Sequence, residues 1–356
     1  MKTATAILLA TSALTAATSN ATQDPGLLPD VPQPESLMDA FVAEDDGCNG
    51  YVKYCNKRLS QVLWMGAHNS LTDVGFALQR NQYVDGPRLL DAGVRYLDID
   101  TCAYAKGGKR VAPYVCHGTQ KLITQWYQPT QDGLELIKTW MDANPREVIM
   151  LNFGDINDFM AMDSNNKATS TAQLRGELVP VLRDVFEDMV VLRGDAMDAE
   201  VQADTATLQD LIDANRRVIV NIGKNHSTSS LYWGQNDVVC NDAWYPKALK
   251  VDPLHFNYDW KAAYAYIDAN MRVPCAKKPQ TINKLEFEFH TPLVSIIDST
   301  HLGQALDAYL GGLEASNKGT IQAPFFPFNM ILTDHSDKWS SYYPKWHATH
   351  LNKLQN

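Results

Sequence analysis

Apolar positions along this chain follow two alternating rhythms. Short strand-like runs recur at Val62 to Ala67, Val94 to Asp100, Val148 to Phe153, Arg217 to Ile222, Pro292 to Asp298 and Asn329 to Thr333. Between several of them lie stretches with helical spacing. Leu134, Ile137, Trp140 and Met141 share one helix face, and Asn144-Pro145 ends that helix because proline cannot continue the hydrogen-bond ladder. Leu174 to Val190 reads as a helix that Pro180 interrupts, and Leu208 to Asn215 as another. Buried-type strands alternating with amphipathic helices predict a parallel sheet with helical crossovers. At 356 residues this favours a (β/α) barrel over an open doubly wound sheet.

In parallel barrels the chemistry gathers at the carboxyl ends of the strands. His68 follows Leu63-Trp64-Met65-Gly66-Ala67, and His117 follows Tyr114-Val115-Cys116. Asp98, Asp100, Asp155 and Asp334 each stand at or just past the end of such a run. Of the nine histidines only His68 and His117 occupy this position; the others read as packed or surface residues. Two imidazoles can supply one base and one acid near neutral pH. Asp98 and Asp100 are two apart, so on a strand they share a face. Two crowded carboxylates need a cation or hydrogen-bond donors, and with the Asn69 amide they suit Ca²⁺ or Mg²⁺. Equally, Asp98 can pair with a basic residue while Asp100 caps a turn. Asp334 could orient an imidazole or simply close a turn. There is no nucleophile elbow, phosphate-binding P-loop or dinucleotide fingerprint.

Composition narrows the partners. Hydrophobic content of 45% supports one large core, and a net charge of −10 argues against a nucleic-acid partner and against strong docking on anionic membranes. Lys2 followed by the uncharged, small-residue-rich Ala4 to Ala17 reads as a secretory signal. The expected organisation is a signal peptide over 1–21, a Pro- and acid-rich leader over 22–47 and one domain over 48–356. In a secreted chain, six cysteines suggest disulfides. Sequential pairing (Cys48 with Cys55, Cys102 with Cys116, Cys240 with Cys275) closes three local loops. The lack of a Cys-x-x-Cys spacing argues against a zinc site.

Several of these segments resemble the catalytic X-type domain of phosphatidylinositol-specific phospholipases C and their secreted relatives. They are Cys48-Asn49-Gly50 with Cys55, Gly66-Ala67-His68-Asn69-Ser70, Gly93 to Asp100, Cys116-His117-Gly118, Ile137-Lys138-Thr139-Trp140, Asn144 to Ile149, and Asp334 to Trp339. The match is ordered and specific from Cys48 to Ile149 and loose from about Leu174 to Phe328. The resemblance implies a distorted (β/α) TIM-type barrel. It implies that His68 is the general base that takes the proton from an inositol 2-hydroxyl. His117 is then the general acid for the departing diacylglycerol oxygen, and Asp334 orients the first histidine. Asn69, Asp98 and Asp100 match the calcium ligands of the metal-dependent branch. Metal-independent bacterial members carry arginine at the position of Asp100, so an acid there favours Ca²⁺ assistance.

A second departure concerns the strand Val148 to Phe153. Animal enzymes end it with another acidic ligand, whereas Phe153 or Gly154 stands there here and Asp155 is the nearest acid. Lys224 is a candidate contact for substrate phosphate. The expected function is therefore a secreted, monomeric phosphodiesterase giving a cyclic inositol phosphate and diacylglycerol, with transient contact to a membrane surface. The alternatives are a soluble glycerophosphodiester substrate, or a non-catalytic phosphoinositide-binding protein on the same barrel. Trp126-Tyr127, Tyr232-Trp233 and Phe325-Phe326 are the candidate membrane-facing aromatics.

Overall fold

The computed structural model describes residues 46–74, 80–118, 124–223, 239–244, 282–287, 300–317 and 329–354. Every described residue belongs to one compact unit, Ala40–Asn356. The expected signal peptide and almost all of the leader lie outside the described residues, as do Lys224, Tyr232-Trp233, Phe325-Phe326 and the run Pro292 to Asp298. Cys275 lies outside them too, so the third expected disulfide is not described.

Eight parallel strands form the main sheet: β1 (Trp64–Ala67), β2 (Tyr96–Asp98), β6 (Ile149–Phe153), β8 (Val190–Val191), β9 (Val218–Ile222), β10 (Val239–Trp244), β11 (Ile282–Phe287) and β12 (Met330–Thr333). Their spatial order is β10-β11-β12-β1-β2-β6-β9-β8. Every described pairing in this sheet is parallel. The sheet is that of a distorted (β/α) barrel of the TIM type, and among the described residues no ladder joins β8 to β10. β1, β2, β6, β9 and β12 are buried along their whole length, which is why they read as continuous apolar runs rather than alternating ones.

Helices cover the sheet where the pattern predicts them. α1 is Gly86–Asp91 and α2 is Thr130–Ala143. α2 buries Leu134, Ile137, Trp140 and Met141, each worth about 2 kcal/mol in removed apolar surface. Its indole Trp140 Nε1 donates to Asp91 Oδ1 at 2.7 Å, and Arg95 stacks over the same ring while pairing with Glu147 at 2.7 Å. α3 (Ala172–Phe186) runs unbroken through Pro180, contrary to the sequence expectation. Pro180 is exposed, so its ring meets solvent, and six buried apolar residues on the opposite face outweigh the lost hydrogen bond. Two short helices, α4 (Asp198–Gln202) and α5 (Leu208–Asp213), precede β9. The chain continues to α6 (Thr300–Asn317) and α7 (Tyr343–Lys353).

One feature was not expected from the sequence. A second sheet, ordered β5-β4-β3-β7, consists of β3 (Thr101–Lys106), β4 (Lys109–His117), β5 (Gln125–Pro129) and β7 (Ile156–Asp158). Gly107-Gly108, both with positive φ, make the β3–β4 turn, and that Gly-Gly pair was the readable hairpin signal. The Cys102–Cys116 disulfide staples this hairpin, and Cys48–Cys55 closes the loop before β1, both as expected.

Candidate active site

The site is built at the carboxyl end of β1 and its neighbours. β1 lies between β12 and β2, and the backbone of His68 continues the ladder by donating to Thr333 O at 2.9 Å. The chain then turns sharply. Asn69 and Leu71 both adopt positive φ, and Ser70 N donates to Asp98 O at 2.6 Å. Leu71 sits against Gly133, where a Cβ would stand 2.7 Å from Leu71 Cδ1, so a larger residue there would displace the Leu71 side chain. The turn is held from three directions, and the two side chains it carries are held with it.

His68 Nδ1 lies 2.8 Å from Asp334 Oδ1, and Asp334 is fully buried. A carboxylate only accepts, so Nδ1 carries the hydrogen and Nε2 presents a lone pair. Asn69 Nδ2 lies 3.0 Å from that Nε2 and 2.8 Å from His117 Nδ1. One amide nitrogen therefore touches both imidazoles, and their facing nitrogens are two hydrogen bonds apart. His117 ends β4, and its Nδ1 also lies 3.7 Å from Asp100 Oδ2. Cys116 N donates to Asp100 O at 3.2 Å, so the disulfide-stapled hairpin brings His117 beside the end of β2.

The structure thus brings together His68, Asn69, Asp98, Asp100, His117 and Asp334 at one end of the barrel. Asp98 accepts from Asn152 Nδ2 at 2.6 Å, and Asn152 is its register partner on β6. Two buried amide oxygens here, Asn69 Oδ1 and Asn152 Oδ1, have no hydrogen-bond partner among the described residues. Carboxylates and amide oxygens are donor types that suit a hard divalent cation better than zinc. Asp155 stands at the turn after β6, where its backbone oxygen accepts from Thr101 N at 3.0 Å. Among the described residues no three His, Cys, Asp or Glu side chains converge as a metal-holding group, so the acids alone do not make a cage.

Sequence reasoning missed Asn81 and Gln82. Asn81 Nδ2 donates to Asp334 Oδ1 at 2.7 Å, and its Oδ1 accepts from Asn69 Nδ2 at 3.0 Å. Gln82 Nε2 donates to His68 O at 2.8 Å and Thr333 O at 3.0 Å, and its Oε1 accepts from Ser336 N at 2.9 Å. Both are buried. Two polar residues between the site turn and α1 carry no periodicity, so nothing in the pattern singled them out. Farther out, the expected aromatic display is absent at Trp126-Tyr127. Tyr127 is buried, with its phenol pushed well above the usual range by burial and then by the Asp100 charge, against a lowering effect of Arg80. Trp126 packs against Tyr104 and Phe159.

The PI-PLC X family model (PI-PLC X 1) matches residues 54–238, more than half of the chain. The chain belongs to the PI-PLC X domain family. It is 36% identical over 109 residues to "PI-PLC X domain-containing protein 1" of Arthroderma benhamiae, covering 31% of this chain and 33% of that protein. It is 23% identical over 240 residues to an "Uncharacterized secreted protein" of the same fungus, covering 67% of this chain and 45% of that protein. The PI-PLC X chain described here thus spans between a third and a half of the length of these curated relatives. Its fold is shared with phosphatidylinositol-specific phospholipase C from Listeria monocytogenes, with a TM-score of 0.51 at 14% identity over 84% of this chain and 95% of that one. A point mutant of the Staphylococcus aureus enzyme gives a TM-score of 0.52 at 13% identity over 85% and 98%. These two likenesses establish the barrel fold.

Proposed function

We propose that this PI-PLC X protein is a secreted phosphodiesterase that cleaves phosphatidylinositol-type diesters by internal attack of the inositol 2-hydroxyl. The observation that carries this reading is the single amide nitrogen of Asn69 touching both imidazoles, with His68 backed by the buried Asp334. A phosphodiester replacing that bridge would have a base on one side and an acid on the other.

His68 Nε2 takes the 2-hydroxyl proton while Nδ1–H stays on Asp334, whose charge stabilises the imidazolium that forms. The freed oxygen attacks phosphorus, and the bond to the diacylglycerol oxygen breaks. His117 supplies the proton to that leaving oxygen, giving a cyclic inositol phosphate and diacylglycerol. Asn69, Asp98 and Asp100 would hold a Ca²⁺ or Mg²⁺ ion, with Asn152 beside Asp98 rather than a third acid. When bound, the ion offsets negative charge on the phosphoryl oxygens and acidifies the hydroxyl. Lys224 remains a proposed phosphate contact. Among the described residues no helix is long and apolar enough to cross a membrane, and one relative is named as secreted; both agree with an extracellular protein that meets lipid only transiently.

One observation favours a soluble substrate as the second reading. Tyr127 is buried and Trp126 is half-buried against Tyr104 and Phe159, which leaves little apolar surface of this pair for lipid. Phosphorus NMR of purified protein decides between them, using phosphatidylinositol vesicles and then soluble glycerophosphoinositol, each with calcium and with chelator. A cyclic phosphate signal that vanishes in His68→Ala and His117→Ala supports internal attack. Turnover of the soluble diester alone selects the second reading, and no product from either substrate leaves a binding protein on this barrel.

A further inference from the structure

Gln82 is fully buried, and the three hydrogen-bond partners of its side chain are all main-chain groups. Nε2 donates to His68 O at 2.8 Å and to Thr333 O at 3.0 Å, and Oε1 accepts from Ser336 N at 2.9 Å. A carbonyl only accepts and a backbone N–H only donates, so these partners fix which end of the amide points where. Two N–H hydrogens meet two acceptors, and no ring proton or bound ion enters that assignment.

The ladder between two strands stops at this point. β1 and β12 run in register as far as Ala67 beside Thr333, and His68 N adds one more rung to Thr333 O at 2.9 Å. Both chains then turn away, with Asn69 at φ 47° and His335 at φ 50°. His68 and Asp334 are therefore each the last residue before a left-handed turn. Among the described residues no further backbone rung joins the two strands beyond them. Gln82 stands there instead. Its amide ties the carbonyl just past β1 to the last carbonyl of β12 and to the N–H two residues past Asp334. Its own backbone is tied to the turn after β1: Gln82 N donates to Thr72 Oγ1 at 3.4 Å, and Thr72 Oγ1 donates to Asn69 O at 2.8 Å.

We infer that Gln82 is a positioning residue, supplying the rung that the backbone lacks and so setting the 2.8 Å contact of His68 Nδ1 with Asp334 Oδ1. The inference rests on the proposed role of that pair as the base and its orienting carboxylate. Without the amide, two carbonyls and one buried N–H lose this partner together, and the two turns relax apart. A base displaced by about 1 Å costs about 10²-fold in rate, while substrate binding made elsewhere is kept.

Gln82→Met keeps the length of the side chain and removes all three hydrogen bonds. Crystal structures of wild-type and variant protein read the geometry directly. The variant is expected to show His68 Nδ1 and Asp334 Oδ1 beyond hydrogen-bond distance, with β1 and β12 unmoved through Ala67 and Thr333. An unchanged pair overturns the inference. So does wild-type protein whose Gln82 amide does not span the two carbonyls, a result that needs no variant to fold. On phosphatidylinositol vesicles, Gln82→Met is expected to lose roughly 100-fold in kcat with KM within about twofold. A double-mutant cycle separates positioning from general loosening. Beside Asp334→Asn, Gln82→Met should cost less than about threefold more, because the pair it positions is already broken. A second loss of about 100-fold in that background makes Gln82 merely structural and overturns the inference. If the pair moves as expected but wild-type protein turns over neither phosphatidylinositol nor glycerophosphoinositol, the proposed activity falls and the positioning role stands. Turnover that needs His68 and His117 but survives Gln82→Met intact does the reverse.

Discussion

Nδ1 of His68 and Oδ1 of Asp334 lie 2.8 Å apart although 266 residues separate them in the chain. The pairing follows from β1 and β12 running parallel in register, with Ala67 beside Thr333, so that the next residue of each strand arrives at the same level. Replacing the carboxylate by its amide keeps the shape but can turn an N–H toward the ring, which favours the tautomer with no lone pair on Nε2. Asp334→Asn is expected to lower kcat about 10³-fold or more with little change in Tm. Steady-state kinetics beside thermal unfolding measure both, and a small loss in kcat would remove Asp334 from the mechanism.

His117 is assigned to the leaving group, and that role depends on how badly the leaving oxygen needs a proton. His117→Ala should cost about 10²- to 10⁴-fold with a natural lipid alkoxide. With a synthetic inositol phosphodiester carrying a nitrophenolate leaving group, the loss should shrink to a small factor, while the His68→Ala loss stays large for both. Equal losses for both substrates would assign His117 another task.

The oxygen donor set predicts divalent-cation binding that depends on both acids. Titration calorimetry with Ca²⁺ should show a single site, weakened at least about tenfold by Asp98→Asn or Asp100→Asn. Asp155→Asn should change it less, because among the described residues the three acids do not form one metal-holding group. Unaltered binding in both Asp98 and Asp100 variants would place the ion elsewhere.

Away from the site, His347 is buried on α7. Its Nδ1 sits 2.8 Å from the Tyr54 hydroxyl, its ring lies against Tyr51, and His350 and Arg95 add positive charge nearby. Burial, then those charges, push its imidazole down to about 3. Its folded value is depressed, so the unfolded chain binds the extra proton first as pH falls. Stability contributed by the neutral form is present above about pH 6.5 and is lost at about 1.4 kcal/mol per pH unit as pH drops toward 3. Urea unfolding at several pH values should show this slope, and His347→Gln should flatten it. The same slope in the variant would assign the pH dependence to other groups.

Gly66 tests how tightly the site is framed. A Cβ there would stand 2.9 Å from Leu332 Cδ1 and 3.2 Å from both Ile331 O and Tyr96 Cδ1. Gly66→Ala should lower stability by about 1–3 kcal/mol by prising β1 from its neighbours, and kcat should fall with it. Unchanged stability would mean that the strands absorb the methyl group.

The sequence by itself determined the buried strands, the helices between them and the positions of the two histidines and the acids at strand ends. Those features are local, because burial on both faces makes a strand continuously apolar and one-sided burial gives a helix its spacing. It favoured, among several possible pairings, the two short disulfide loops that the structure shows, and the family was legible in residues clustered from Cys48 to Ile149. Only the tertiary structure decided which strand-end residues meet. Asp334 and His68 converge through the β12–β1 ladder, and His117 reaches Asn69 through a hairpin whose folding back was not anticipated. The roles of Asn81 and Gln82 were invisible for the same reason: a polar side chain in a loop leaves no periodic trace, and its partners are chosen by strands more than ten residues away at the nearest and over two hundred and fifty at the farthest. Pro180 shows the converse, a local signal overruled because the buried face of α3 holds more free energy than the one hydrogen bond proline removes.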